Sequence, residues 1–194
     1  MKTIFWISLF VFSLLTLLFL IVSFASKKIE TPEYKVIQTY GEVEVRLYSK
    51  MVVAKTKLTG NSFDNQGSKG FRTIANYIFG ANEKNEKIAM TSPVVMSMGD
   101  TASMYFVMPK AYALAELPKP NSPNVEITEE NQKTMAVIGF GGYATDKKIE
   151  LFRQKLESVL GKNMVKTKGP FLFMGYNAPW DFINRRNEVA IELE

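Results

Sequence analysis

Phe71-Arg72-Thr73-Ile74-Ala75-Asn76-Tyr77-Ile78-Phe79-Gly80 is the stretch on which the reading of the fold turns. Phe71, Ile74, Ala75 and Ile78 fall at i, i+3, i+4 and i+7, the spacing of one helix face, and Gly80 supplies a stop. Upstream, Asn61 to Lys69 reads as a loop and Met51 to Thr59 as a strand. Before that, Glu33 to Tyr48 holds two short strands around a turn at Gly41. In the second of them Val43, Val45 and Leu47 alternate with Glu42, Glu44 and Arg46, which predicts an apolar inner face and a charged outer one. Downstream, Lys87 to Met98 and Ser103 to Met108 read as a hairpin ended by Pro109.

The same order then returns. Pro118, Pro120 and Pro123 form a stiff connection, after which Val125 to Thr128 and Lys133 to Phe140 have strand character. Gly139, Gly141 and Gly142 permit a bend. Asp146 is placed to cap a helix with Ile149, Phe152, Leu156, Val159 and Leu160 on one face and Gly161 at its end. Phe171 to Asn177 and Glu188 to Leu193 close the chain as a hairpin. Strands, helix and hairpin thus occur twice, as in an internal duplication. The expected fold is α+β: a distorted antiparallel β-barrel with two flanking helices, built from two pseudo-repeated halves. Neither half carries enough apolar surface to stand alone.

Residues 1–26 are of a different kind. Ile4 to Phe24 is uncharged, broken only by Ser8, Ser13, Thr16 and Ser23, and as a helix it is long enough to cross the roughly 30 Å core of a bilayer. Its length favours a retained transmembrane anchor over a cleaved signal, although Ser23-Phe24-Ala25 loosely fits a cleavage site. The expected division is a membrane anchor over 1–26 and one domain over 27–194. Lys2 on one side and Lys27-Lys28 on the other leave the orientation to a choice, and the domain is placed outside the cytoplasmic membrane.

Composition narrows the chemistry. The 194 residues include no cysteine and no histidine. That removes disulfides, thiolate metal sites, cysteine nucleophiles, Ser-His-Asp triads and the usual zinc sites. The net charge of +5 is dispersed, with no basic run longer than two residues, and no nucleic-acid partner is expected.

Six segments, in order, resemble the SOUL heme-binding proteins. They are Val45-Arg46-Leu47-Tyr48; Tyr77 to Asn82 with Lys87 to Val94; Tyr105-Phe106-Val107-Met108-Pro109; Phe140-Gly141-Gly142-Tyr143; Gly175-Tyr176-Asn177-Ala178-Pro179; and Asn184 to Val189. Together they cover about residues 32 to 193. The resemblance implies the barrel with pseudo-two-fold halves and non-covalent binding of heme or another porphyrin in an apolar groove beside the first helix. Some relatives carry a histidine proposed as an iron ligand after the early arginine; here that position is Leu47. Without histidine, iron is left with Tyr or Met as axial donors, or with none.

On this reading the cofactor-binding residues are Lys69, Phe71, Arg72, Ile74, Ile78 and Met90, with Lys69 or Arg72 pairing a propionate. Lys84 and Lys87 are further cations near the helix. Each residue also has a plainer reading. The Phe71/Ile74/Ile78 stripe is what any packed helix needs, and Met90, Met96, Met98, Met104 and Met108 suit an irregular core. An exposed helical arginine needs no ligand. No catalytic or metal-ligating set is expected. The alternatives are a small-molecule hydrolase using a groove carboxylate, with Glu188 as a buried base of raised pKa, or a domain for another apolar ligand or a protein.

Overall fold

The computed structural model describes residues 29–99, 101–178, 181 and 183–194, with Trp6 and Ser13. The anchor expected over 1–26 lies outside the described residues apart from those two. Among the described residues no helix is long and apolar enough to cross a membrane.

Among residues 29–194 as described, nine strands and two long helices follow one another as β1 (Tyr34–Tyr40), β2 (Val43–Tyr48), β3 (Met51–Lys57), α1 (Phe63–Ile78), β4 (Val94–Ser97), β5 (Ser103–Val107), β6 (Glu126–Glu130), β7 (Lys133–Gly141), α2 (Asp146–Lys162), β8 (Thr167–Gly175) and β9 (Arg186–Leu193). A single 3-10 turn, Leu114–Glu116, lies between β5 and β6. The strands form one antiparallel sheet in the order β1-β2-β7-β9-β8-β4-β5-β3-β6. The fold is α+β, as expected. The sheet, however, is a curled half-barrel and not a closed barrel, because β1 and β6 each pair on one side only.

The two halves exchange strands. Leaving β1 aside, swapping β2 with β6, β3 with β7, β4 with β8 and β5 with β9 reproduces the sheet order in reverse. The first strand of each half therefore pairs with the other half: β2 with β7, through Val43 opposite Ile138, and β6 with β3, through Thr128 opposite Val53. At the centre β4 meets β8, with Val94 opposite Gly175. Neither half completes its share of the sheet alone.

Both faces of the sheet are buried. One packs beneath the helices, α1 against β3, β4 and β5 and α2 against β7 and β9. Its core includes Val43, Ala54, Ile74, Ile78, Met96, Met104, Phe106, Ile138, Leu156 and Phe173. The other face carries Tyr48, Val53, Val95, Tyr105, Met135, Val137, Met174 and Ala190, and the curl of the sheet closes it on itself. Strands buried on both sides lose strict alternation. Hence the charged outer face expected for β2 fails at Arg46: this residue is 5% exposed and points into the second core, while Leu47 is only half-buried.

The helices also depart from the sequence pattern at their starts. Residues 63–69 are not loop but the first two turns of α1, capped by Ser62, whose Oγ accepts the Asn65 N–H. For α2 the cap is Thr145, which accepts from Lys148, and Asp146 is the first helical residue. The two helix starts face each other and share their acids. Phe63 N–H and Ser62 Oγ donate to the Asp146 carboxylate at 2.6 Å each, and Asp146 N–H donates to Asp64 at 3.2 Å. Each carboxylate thus meets the positive end of the other helix. Of the hairpin expected over 87–108, residues 87–93 are non-strand and include a cis Ser92-Pro93 peptide bond.

Candidate functional site: a groove beside the first helix

One stripe of α1 remains unpacked. Phe63, Gly67 and Phe71, with Asp64, Ser68 and Arg72 beside them, follow an i, i+4 row along the first half of the helix and form one wall of a groove of about 540 Å³. Val94, Met96, Met104 and Phe173 from the sheet form its floor. The far wall is Tyr143 and Ala144, just after β7, with Asn177 and Arg185 from the β8–β9 connection and Asn187 at the start of β9. Gly67 keeps this wall low, since a Cβ there would lie 3.4 Å from the Phe63 ring. The floor is fixed by aromatic packing: Phe63 meets Phe173 edge-on at 4.7 Å and Phe71 lies 5.2 Å from Phe106. The volume falls within the usual range for small-molecule sites.

The far wall is held by its own bonds. Gly142 takes a positive φ of 73°, which lets the chain turn sharply after β7, and its carbonyl accepts from Asn187 Nδ2 at 2.8 Å. Lys148 Nζ holds the Gly141 carbonyl at 2.6 Å. Arg185 donates through Nη1 to Ala178 O and Asp181 O, at 2.9 and 2.6 Å, and its guanidinium carbon lies 4.4 Å from the centre of the Tyr143 ring. Among the described residues, Arg185 Nε is buried without a hydrogen-bond partner.

Of the six residues expected from the sequence, the groove brings together Phe71 and Arg72. Lys69 is exposed on α1 and does not line it. Ile74 and Ile78 are fully buried, at 0% and 1% exposure, in the core beneath the helix. Met90 is partly buried against that core and also lies away from the groove. Tyr143, Arg185, Asn177 and Asn187 escaped the sequence reading as groove residues. The available signals were the Gly-Gly-Tyr turn and the paired arginines at 185 and 186, which nothing in the linear order brings near residue 71.

Glu188 lies on the other face of the sheet, in the second core, at 2% exposure. It accepts five hydrogen bonds: from Arg46 at 2.9 and 3.0 Å, from Arg186 at 2.7 and 3.0 Å, and from the Tyr176 hydroxyl at 2.7 Å. Burial alone would raise its pKa. The bonds and charge of Arg46, followed by Tyr176 and Arg186, outweigh burial and hold the carboxyl below the ordinary glutamate range. The buried base of raised pKa expected at Glu188 is therefore replaced by a locked, ionised carboxylate. Aromatic rings complete the cluster: Arg46 sits 4.4 Å above Tyr34, and burial pushes the Tyr48 phenol up to about 12 against the pull of Arg46.

The sequence profile of the SOUL heme-binding protein family matches residues 29–192, nearly the whole described domain. The chain belongs to the SOUL family. Heme-binding protein 1 of Xenopus laevis is 29% identical over 154 residues, covering 75% of this chain and 80% of that protein. Human heme-binding protein 2 is 28% identical over 180 residues, covering 85% and 86%. Among solved structures, the EcmrR C-terminal domain superposes with a TM-score of 0.59 at 11% identity, over 83% of this chain and 98% of that one. A hydrolase from Listeria innocua superposes with a TM-score of 0.58 at 6% identity, over 81% and 94%. At such identities these structures share the fold and nothing more.

The SOUL name implies a heme, a planar apolar macrocycle with two carboxylates. The groove residues fit it. Phe71, Val94, Met96 and Phe173 offer an apolar surface, and Arg72 and Arg185 are carboxylate-pairing cations on opposite walls. The unpartnered Arg185 Nε is a donor still in want of an acceptor. With no histidine or cysteine in the chain, the iron-competent donors of the groove are the Asp64 carboxylate, the Tyr143 phenol and the Met96 and Met104 thioethers.

Proposed function

We propose that the domain binds heme or a related tetrapyrrole non-covalently in the groove between α1 and the sheet. Family membership supports the class of ligand. The observation that carries the placement is a groove with an apolar floor and a guanidinium on each of two facing walls. Phe71 presses on the macrocycle, and Arg72 and Arg185 take the propionates. Binding rests on apolar burial and charge pairing and uses no covalent link. Residues 1–26 tether the domain to the membrane, outside the cytoplasm, so that its task is carriage, buffering or presentation of the ligand there.

Hemin titration of the full chain, followed by Soret absorbance, tests the binding. Saturable one-to-one binding is expected, weakened about two- to fivefold by Arg72→Ala, as for loss of one charge pair of an exposed arginine of about 0.4–1 kcal/mol. Lys69→Ala, outside the groove, leaves the curve unchanged. A linear response without saturation, the same in both variants, overturns the proposal. Fractionation of the expressed chain into membrane and soluble pools, with protease access from either side, tests the tether and its orientation.

A further inference from the structure

The groove holds four side chains with an atom able to bind ferric iron, Asp64, Met96, Met104 and Tyr143, and their surroundings separate them. Asp64 is engaged at the paired helix starts, where its carboxylate accepts the Asp146 N–H. Met96 and Met104 are 1% and 2% exposed. The Met104 sulfur is packed under α1 where the helix passes at Gly70; a Cβ there would lie 3.2 Å from it. These thioethers are core atoms, and freeing either one would break the floor on which a ligand rests. Tyr143 differs in every respect: it is 53% exposed, and among the described residues its hydroxyl has no hydrogen-bond partner. The turn just before it is held by Lys148 at the Gly141 carbonyl and by Asn187 at the Gly142 carbonyl. Its ring lies under a fixed positive charge, since the Arg185 guanidinium 4.4 Å away is itself tied to Ala178 and Asp181.

We infer that Tyr143 supplies the axial oxygen to the iron of a ferric porphyrin seated in this groove, with Arg185 as the residue that positions its ring. The inference rests on the heme-binding reading of the groove. The step is a simple exchange: the phenolic O–H bond breaks and its proton passes to water, the chloride or water held by hemin in solution leaves the iron, and the phenolate oxygen lone pair forms the bond in its place, the iron staying ferric. Such a ligand would let a chain without histidine or cysteine favour a ferric porphyrin over a metal-free one. The apolar floor and the arginines would hold both, and the phenolate would add affinity for one.

The full chain and its Tyr143→Phe and Tyr143→His variants are titrated with hemin and, separately, with metal-free protoporphyrin IX. Resonance Raman and electron paramagnetic resonance spectra are recorded on the hemin-loaded forms. Wild type is expected to show phenolate vibrations and a high-spin ferric signal. In Tyr143→Phe the phenolate vibrations vanish and hemin affinity falls about tenfold or more, while protoporphyrin affinity changes less than about twofold. Tyr143→His is expected to exchange the phenolate spectrum for an imidazole-ligated one, which requires position 143 to reach the iron. A hemin spectrum unchanged in Tyr143→Phe overturns the assignment while leaving heme binding intact. Failure of wild type to bind either porphyrin overturns the binding reading itself.

Discussion

Replacing Glu188 with glutamine changes one oxygen for an amide nitrogen and nothing in shape, yet the structure makes it among the costliest substitutions available in the domain. The carboxylate accepts five hydrogen bonds at 2.7–3.0 Å, from two arginines and a tyrosine, at 2% exposure. An amide nitrogen in place of either oxygen cannot accept from them and turns its hydrogens toward a guanidinium. Arg46, 6% exposed at its side chain, then keeps only Glu44, at 2.7 Å, as a carboxylate partner. Hydrogen bonds to charged groups contribute about 1.5–3 kcal/mol each, but five bonds on one carboxylate do not add. The better guide is the cost of removing one partner of a buried pair, about 3–5 kcal/mol. For a chain of this size each kcal/mol moves Tm by about 2–4 °C, so Glu188→Gln should melt roughly 6–20 °C below wild type. Circular dichroism thermal scans of the two proteins measure this. The double variant Arg46→Met/Glu188→Leu, which removes both buried charges and leaves Arg186, Glu44 and the Tyr176 hydroxyl without these partners, should recover part of the loss. A Tm for Glu188→Gln within about 2 °C of wild type would refute the claim that this cluster holds the inner core together.

The same carboxylate sets an acid limit. Its pKa when folded lies below the ordinary value of 4.5, so its stabilisation is complete above that pH and is lost as pH falls through the folded value. Denaturant titrations at pH 7 and pH 3 should therefore show the gap between wild type and Glu188→Gln narrowing at the lower pH; a constant gap would contradict this. Ser62→Ala removes the α1 cap and one donor to Asp146, and should cost about 1–2 kcal/mol by the same titration at pH 7. Ile74→Ala, at a position with no exposed surface, should cost about 2–5 kcal/mol from the cavity it opens. Hemin affinity in Ile74→Ala, measured at a temperature where the variant is folded, should stay near wild type, because Ile74 does not line the groove.

Much of this fold was legible in the chain. The helix at 71–78, the Gly41 turn, the return of the same order after Pro123 and the closing hairpin all follow from local spacing, and local spacing is what a sequence displays. Where the reading failed, the deciding forces were not local. Residues 63–69 contain Asp64, Asn65, Gly67 and Ser68, weak helix formers, and become helical because Ser62 caps them and Asp146, from the other half of the chain, completes the helix start. Arg46 looked like an outward charge because its partner, Glu188, is 142 positions away. The site divided in the same manner. Phe71 and Arg72 could be picked out because they sit on the helix that forms the near wall. Tyr143, Asn177 and Arg185 could not, because only the pairing of β8 and β9 beside β7 carries them across to it.

The exchange of strands between the halves bears on how the chain acquires its structure during synthesis. A polypeptide leaves the ribosome amino end first, and here β2 emerges long before the strand that will hold it, since Val43 waits for Ile138. The early β1–β2 hairpin can close at once, but its remaining free edge stays unpaired until β7 arrives and the free edge of β4 until β8 does. High sequence separation of this sort slows folding and lengthens exposure to aggregation. A nascent chain stalled before residue 133 should bind a chaperone persistently, and one released after residue 193 should not. The duplication that makes the finished sheet symmetric thus makes its assembly strongly directional in time.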